Sequence, residues 1–324
     1  MKLSHLLGAA AIGALMAGAL PAIAQSGYPE RPVTIIVPFA AGGGTDAVAR
    51  IVAAGLQERL GQQFNVQNLP GAGGFIGHQA IADAAPDGYT IGFMSSSVDG
   101  YKPLGRGDLN YESFTPLALV NFDAAGVQVR HDSEFETIEE AIAAIQANPE
   151  RFTASASGIG GPWHLAWVQL MMAIGSGPDE VVFVPSGGAS PSLNELIAGG
   201  VDFAPTSVAE ARSLIEAGEV RSLAVMDSAR MEAFPDLPTI EESLGLDVSA
   251  GVWRGFAGPL DMPQDATDTL IEHIEAIYES ESFQARLADL SFGTRWAAGD
   301  DFRTFMQDAH ESTVAVMEAA GLTE

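Results

Sequence analysis

The chain contains no cysteine among its 324 residues. This absence excludes disulfides, thiolate nucleophiles, zinc–cysteine sites and iron–sulfur clusters. Basic residues are also scarce: the chain has 15 Lys+Arg and 42 Asp+Glu, which gives a formal net charge of −27. Its only lysines are Lys2 and Lys102. A surface this acidic does not neutralise phosphates and is repelled by anionic lipids. We therefore expect no nucleic-acid partner.

Long apolar runs are missing beyond the N-terminus. Lys2 and His5 precede an apolar run over residues 6–20, and small residues at Ala22 and Ala24 come before Gln25. A basic start, a short apolar run and small residues before a cut are typical of a cleaved signal peptide. We predict cleavage after Ala24 and no stable membrane insertion of the remaining chain. An uncleaved anchor is the alternative interpretation.

Several catalytic and cofactor motifs are absent. The glycines from Gly71 to Gly77 do not have the spacing of the dinucleotide fingerprint, and the chain has neither a GxxxxGK[ST] phosphate loop nor a G-x-S-x-G elbow. The six histidines lie far apart, and His310-Glu311 lacks the second histidine of an HExxH motif. We predict no catalytic residue, no metal site and no cofactor.

The first hundred residues after the predicted cut alternate between strand and helix patterns. Residues 33–37 (VTIIV) form a β-branched run that predicts a buried strand. The next segment, 46–60, carries Val48, Val52 and Leu56 at helical spacing. Further strands are predicted at 64–67 and 89–94. This alternation favours a parallel α/β sheet.

The middle of the chain repeats this style. Strands are predicted at 125–129, 152–156, 181–184 and 220–226. Helix starts are indicated by three possible capping boxes, which are Thr137 with Glu140, Ser192 with Glu195, and Ser207 with Glu210. Two helical faces follow in the last third of the chain. We predict a signal peptide at 1–24, one lobe from 25–124 and 225–324, and a second lobe from 125–224.

The most informative segment is the glycine-rich turn from Phe39 to Asp46, between a predicted strand and a predicted helix. Consecutive glycines allow close backbone approach and direct several N–H groups at one point, and the helix N-terminus adds partial positive charge. Together they predict an anion site that needs no lysine. The alternative is a tight turn in which Thr45 or Asp46 only caps the helix.

The same pattern recurs three times, at residues 68–74, 155–164 and 185–190. Ligands of open α/β sheets bind outside the carboxyl ends of strands. Four turns of this kind, each following a strand, therefore suggest one cleft shared by two lobes.

Single side chains near these turns leave two interpretations open. His164 either donates to an anionic ligand or makes only local contacts, and Trp163 either walls the cleft or belongs to the core. Arg254 either pairs with a carboxylate ligand or forms a salt bridge between lobes. Ser95 and Ser96 follow a predicted strand, where their hydroxyls face a ligand or serve a turn.

The chain resembles the solute receptors of tripartite tricarboxylate transporters, also called Bug-type binding proteins. Six segments carry the resemblance in order: YPERPVTIIVPFAAGGGTDAVAR, NLPGAGGFIG, PDGYTIGF, SGIGGPWHLA, VPSGGASPSLNELIAGGVDF, and the LAVMDSAR…FPDLPTIEE run. The resemblance implies an α/β fold of the type II Venus-flytrap kind, a two-lobed periplasmic binding protein. Each lobe is then a sheet flanked by helices, and the ligand cleft lies between the lobes.

The resemblance also implies a function. We expect a periplasmic receptor, acting as a monomer, that binds a small mono-, di- or tricarboxylate and delivers it to a two-subunit inner-membrane permease. The alternatives are a ligand sensor for a signalling partner and a secreted hydrolase or isomerase of small acids. The predicted ligand-binding residues are Phe39, Ala40, Ala41, Gly42, Gly43, Thr45, Asp46, Ser95, Ser96, Ser157, Gly158, Gly160, Gly161, Trp163, His164, Ser186, Gly187, Ser207 and Arg254.

Overall fold

The computed structural model describes residues 27–323, and the predicted signal peptide at 1–24 lies outside this range. The strands of the described part are β1 (Val33–Val37), β2 (Phe64–Asn68), β3 (Thr90–Ser95), β4 (Phe114–Ala124), β5 (Gly126–Arg130), β6 (Thr153–Ala154), β7 (Val182–Phe183), β8 (Val220–Val225), β9 (Gly251–Pro259) and β10 (Thr294–Ala298). The helices are α1 (Gly44–Leu60), α2 (Phe75–Ala82), α3 (Ile138–Ala147), α4 (Pro162–Ala173), α5 (Ala189–Ile197), α6 (Val208–Glu216), α7 (Ile240–Leu244), α8 (Gln264–Tyr278), α9 (Glu281–Asp289) and α10 (Gly299–Ala319).

The first lobe is built on a six-stranded sheet with the order β10-β4-β9-β3-β1-β2. Its β1, β2 and β3 are parallel, as the strand–helix alternation predicts. The other half is antiparallel, because β9 returns against both β3 and β4, and β10 pairs with β4. The sheet is therefore mixed, and the expectation of a parallel sheet holds only for the strands near the N-terminus.

Helix α1 shows why this part of the chain folds as predicted. Val48, Val52 and Leu56 are fully buried in the core of the first lobe, on the face that faces the sheet. The helix ends at Gly61, whose φ of 67° is the left-handed conformation typical of a glycine cap. The spacing of apolar residues thus fixes the face of the helix that is buried, and the glycine fixes its end.

The second lobe has a smaller sheet. β5 and β8 pair antiparallel, while β6 and β7 pair parallel. Isolated bridges at Phe203 and Ala204 join these pairs, because Ala204 bridges Gln128 of β5 and Phe203 bridges Ala154 of β6. Trp167 of α4 stacks on Phe203 with ring centroids 5.5 Å apart, at the centre of this lobe's core.

The chain passes between the lobes at Ala125, directly after β4, and again before β9. Met226, Ile240 and Val248 pack into the core of the second lobe. The predicted lobe limits of 125–224 stay a prediction, and this packing favours a return to the first lobe nearer Gly251.

The three proposed capping boxes have different outcomes. Thr137 and Glu140 form one as predicted, with the side chain of each bonded to the backbone of the other. The proposal for Ser192 is wrong, because this residue lies inside α5 and donates to the carbonyl of Ala189. Ser207 caps α6, but its supposed partner Glu210 points elsewhere.

None of the helices within residues 27–323 is long and apolar enough to cross a bilayer. No group of three or more potential metal-ligating side chains is present in the same residues.

Candidate functional site

A cleft of about 970 Å³ lies between the two lobes. Four strand-to-helix turns border it, and each follows a strand that is parallel to its neighbour: β1 and β2 in the first lobe, β6 and β7 in the second. The carboxyl ends of parallel strands meet at one edge of a sheet, which is where α/β proteins place ligands. The volume is within the range of small-molecule sites.

Most of the predicted ligand-binding residues lie on this cleft. Those that line it are Phe39, Ala40, Gly43, Thr45, Ser95, Ser157, Gly158, Gly160, Gly161, Trp163, Ser186, Gly187 and Arg254. Those that do not line it are Ala41, Gly42, Asp46, Ser96, His164 and Ser207. Trp163 satisfies both of its interpretations, because it walls the cleft and also belongs to the core of the second lobe.

The first turn presents the N-terminus of α1 to the cleft. The helix begins at Gly44, and its N-cap Gly43 supplies no side-chain hydrogen bond. Helix N-termini leave backbone N–H groups without an intrahelical partner and carry partial positive charge. A methyl group on Gly44 would lie 3.0 Å from the ring of Phe292 and 3.4 Å from Nη2 of Arg254, so a larger residue here would require these side chains to shift.

Asp46 holds this turn from behind and does not face the cleft. Its carboxylate accepts hydrogen bonds from the Gly42 N–H at 2.9 Å, from Arg50 Nε at 3.0 Å and from Asn68 Nδ2 at 2.9 Å. Burial acts to raise its pKa, but these hydrogen bonds outweigh burial and lower the pKa. The expectation that Asp46 contacts ligand is replaced by a role in fixing the turn.

The second turn presents the N-terminus of α4 from the opposite lobe. Its geometry depends on His164, which is buried, accepts from the Gly160 N–H through Nδ1 at 3.0 Å, and packs on Phe183. Burial lowers the pKa of His164 to about 4, so the ring is neutral at pH 7. Ser157 Oγ accepts from the His164 N–H at 3.2 Å. His164 therefore holds the turn, which corrects its predicted place on the cleft surface.

A third helix N-terminus, that of α5, borders the same cleft. Its N-cap Gly188 provides no side-chain cap, while Ser186 Oγ bonds to both the N–H and the carbonyl of Gly188. Ser186 thus closes the turn and leaves the first helical N–H groups of α5 on the cleft side. Ser207, in contrast, is fully buried and uses its hydroxyl to cap α6, which is why it does not reach the cleft.

Arg254 forms an ion pair, but not the salt bridge between lobes that was one of its two interpretations. It lines the cleft, yet its guanidinium is buried and forms an ion pair with Asp123 of β4. It also donates to Asn121 Oδ1 at 2.5 Å and to Thr45 Oγ1 at 3.1 Å. The ion pair lies within the first lobe, since β4 and β9 share one sheet, and it does not bridge the lobes.

The other residues that line the cleft are not among the predicted ligand-binding residues. They are Gly44, Ala72, Gly73, Ser97, Tyr101, Leu104, Arg106, Ile159, Pro162, Gly188, Ala189, Ser190, Pro191, Glu210 and Val252. About half of them lie in the four glycine-rich turns that the sequence predicts at the cleft. Tyr101 and Arg106 lie after β3 in a segment without such a pattern, and Arg106 crosses the cleft to the carbonyl of Ile159 at 3.3 Å.

The charge of the cleft is set by few side chains. Among the described residues, the cleft lining contains two arginines and one glutamate, which are Arg106, Arg254 and Glu210. Arg254 is already neutralised by Asp123. The positive potential therefore depends largely on the three helix N-termini, which suit a carboxylate or another small anion.

Comparisons with known proteins identify the family of this chain. A family model described as the tripartite tricarboxylate transporter family receptor matches residues 48–322. A UPF0065 protein of Agrobacterium vitis is 32% identical over 287 residues, which cover 85% of this chain and 80% of the relative.

Solved structures with the same fold come from binding proteins. The periplasmic binding protein BugD is 31% identical, with a TM-score of 0.79 and coverage of 91% of this chain and 99% of that one. A Rhodopseudomonas palustris protein with adipate is 26% identical, with a TM-score of 0.82 and coverage of 91% and 99%. MatC of the same organism, with bound malate, is 26% identical, with a TM-score of 0.77 and coverage of 89% and 99%. The chain belongs to the tripartite tricarboxylate transporter receptor family of solute-binding proteins, and its fold is the expected two-lobed α/β fold of that family.

Proposed function

We propose that this protein binds a small organic carboxylate in the cleft between its lobes and delivers it to a membrane permease. The observation that carries the proposal is the convergence on one cleft of three helix N-termini, those of α1, α4 and α5, each with a glycine as its N-cap residue. Helices from both lobes contribute. A ligand that bridges them stabilises the closed arrangement, because its affinity for that state is higher.

The relatives support the chemical class of the ligand. The two R. palustris proteins were solved with malate and with adipate, which are both dicarboxylates. In this chain, we assign the carboxylate contacts to the backbone N–H groups of Gly44 and Thr45 in the first lobe, and of Trp163 and Ala189 in the second. The hydroxyls of Ser95 and Ser157 complete the polar lining as proposed contacts.

Thermal-shift and calorimetric titrations with a panel of carboxylates test the proposal. A ligand at 100 times its dissociation constant should stabilise the folded protein by about 2.7 kcal/mol. The panel contains malate, adipate and citrate, so that it spans two and three carboxylates and several chain lengths. Absence of any stabilisation by these acids, in a protein that unfolds cooperatively, would contradict the proposed function.

The periplasmic location and the partner are part of the same proposal. The predicted signal peptide would direct export, and mass spectrometry of the exported protein should find Gln25 as its first residue. We expect monomers in gel filtration. Reconstituted vesicles containing the two permease subunits should take up the ligand only when the receptor is added, whereas a sensor would leave uptake unchanged.

A further inference from the structure

Glu210 is a cleft residue whose position the proposed function does not explain. It lies in the first turn of α6, in the second lobe, and it borders the cleft. Its backbone N–H is bonded to the Ser207 hydroxyl at 3.4 Å, but its carboxyl does not complete the capping box. The Oε2 atom is inaccessible to solvent and has no hydrogen-bond partner.

A carboxyl oxygen in this state is costly unless something donates to it. Removing a charged group from water without a hydrogen-bond partner is strongly unfavourable, and buried polar atoms of folded proteins are rarely left unpaired. Burial raises the pKa of Glu210, and this effect outweighs Arg254, which acts to lower the pKa, while Asp123 acts to raise it. A partner that donates a hydrogen bond would remove the cost.

The protein does not provide that partner from its own cations. Arg254 is the positive group that acts on Glu210, but its Nη1 is bonded to Asp123 and Asn121, and its Nε to Thr45. Arg106 donates to the carbonyl of Ile159. Glu210 itself lines the cleft, so a rotation of its carboxyl group would let a bound ligand supply the missing donor.

The cleft consequently has two chemically different ends. The helix N-termini of α1, α4 and α5 offer N–H donors, which suit a carboxylate. Glu210 offers an acceptor, which repels a second carboxylate and attracts a hydroxyl or an ammonium group. We propose that Glu210 is a specificity-determining residue that selects carboxylates carrying an O–H or N–H donor, such as hydroxy acids or amino acids, over unsubstituted ones.

This proposal rests on the proposed function and sharpens its substrate class. Two matched ligand series test it: succinate, malate and aspartate share a four-carbon skeleton, and glutarate, 2-hydroxyglutarate and glutamate share a five-carbon skeleton. Within each series only the substituent at one carbon changes, from hydrogen to hydroxyl to ammonium. The affinity ratio of the substituted to the unsubstituted acid then reports the effect of the substituent, and its change on mutation of Glu210 reports the contact with that residue.

In the wild-type protein, the best donor-bearing acid should bind about 10- to 150-fold more tightly than its unsubstituted counterpart, as expected for a hydrogen bond to a charged group. Glu210→Gln keeps the shape and one acceptor but removes the charge. It should reduce the ratio for the ammonium ligand more than for the hydroxyl ligand, and it should leave or raise the affinity for the unsubstituted acid. Glu210→Ala should reduce both ratios.

Glu195→Gln provides the matched control, because Glu195 is an exposed residue of α5 in the same lobe and does not line the cleft. It removes the same charge and should leave both ratios unchanged. Circular dichroism and the melting temperature without ligand verify that each variant folds, and Glu210→Gln keeps the test usable if Glu210→Ala does not fold.

The measurements distinguish a wrong role for Glu210 from a wrong function for the protein. Equal ratios in wild-type protein and both Glu210 variants, with measurable binding of the unsubstituted acids, would overturn the role of Glu210 and leave the carboxylate receptor standing. A wild-type protein that binds none of the six acids, nor those of the wider panel, would overturn the proposed function together with it.

Discussion

The turn after β1 and the turn after β6 face each other across the cleft and perform the same task by different chemistry. Each leads into a helix whose N-cap residue is a glycine. The first is held by an ionised carboxylate, Asp46, bonded to Arg50 and Asn68. The second is held by two neutral side chains, Ser157 and His164. A helix N-terminus can therefore be aimed at a ligand with or without buried charge.

The two turns also differ in their connection to the rest of the molecule. Thr45 of the first turn accepts a hydrogen bond from Arg254, which ties the turn to the strands that lead between the lobes. The second turn is fixed mainly within its own lobe, by the bonds of His164 and by packing on Phe183. A movement of the connecting strands should thus be transmitted to the first turn more directly than to the second.

The largest effect is expected where the first turn meets those strands. Arg254→Met removes the cation but leaves the carboxylate of Asp123 buried, and breaking one side of a buried pair costs about 3–5 kcal/mol of unfolding free energy. Urea denaturation measures this loss. The double variant with Asp123→Asn should recover part of it, and a loss below about 1 kcal/mol for the single variant would show that the ion pair contributes little.

A pH titration separates the two turns by the pH range in which each loses stability. The folded-state pKa of His164 is lowered to about 4, below its ordinary value of about 6.5. Between these values the unfolded chain binds the proton and the native ring does not, so stability falls by about 3 kcal/mol as pH is lowered from 6.5 to 4. His164→Asn keeps a neutral acceptor and should lose this part of the pH dependence.

The first turn behaves differently under the same titration. The pKa of Asp46 is lowered, so its contribution is present above the ordinary carboxyl value and is lost only as the pH falls below that value. Asp46→Asn should therefore leave the slope between pH 6.5 and 4 unchanged. An equal change of slope in the Asp46 and His164 variants would contradict the division into a charged and a neutral turn.

Blocking the helix N-termini tests whether both turns hold the ligand. Gly43 and Gly158 line the cleft. Their backbone conformations can be adopted by any residue, and a side chain added at either position would meet no close contact. Valine at either position should fold normally and weaken carboxylate binding about 10- to 150-fold, the range for one lost charged hydrogen bond. Calorimetry gives the affinities. Loss in only one of the two variants would assign the ligand to a single lobe.

The smallest effect is expected for a contact between the lobes at the cleft edge. Arg106 is exposed and reaches the Ile159 carbonyl with a hydrogen bond of 3.3 Å. Arg106→Ala should change the free energy of unfolding by no more than about 0.5 kcal/mol, as for other surface substitutions. Ligand dissociation, measured by stopped-flow fluorescence, should become a few-fold faster. An unchanged rate would show that this contact does not help to keep the cleft closed.

Short-range sequence patterns predicted several of the strands, helices and turns of this protein. The VTIIV run predicted β1 at its observed limits, because five consecutive apolar and β-branched residues suit a strand buried on both faces. Helix α1 and the strands β2 and β3 were predicted within two residues of their observed limits, and the cap of α3 was predicted at Thr137. Helical spacing, strand patterns and caps are all short-range features. The glycine turns after β1, β2, β6 and β7 were equally visible, and all four border the cleft.

Only the tertiary structure decided which side chains face the cleft. Asp46 and His164 stand at the predicted turns but point behind them, since each bonds to the backbone of its own turn. Glu210 matched a capping box in sequence, yet it does not cap the helix and borders the cleft. Sequence spacing fixes where a helix begins because capping involves residues three or four apart. The direction of a side chain there depends on contacts between strands and lobes that lie far apart in the chain, such as Arg254 with Thr45 and Asp123.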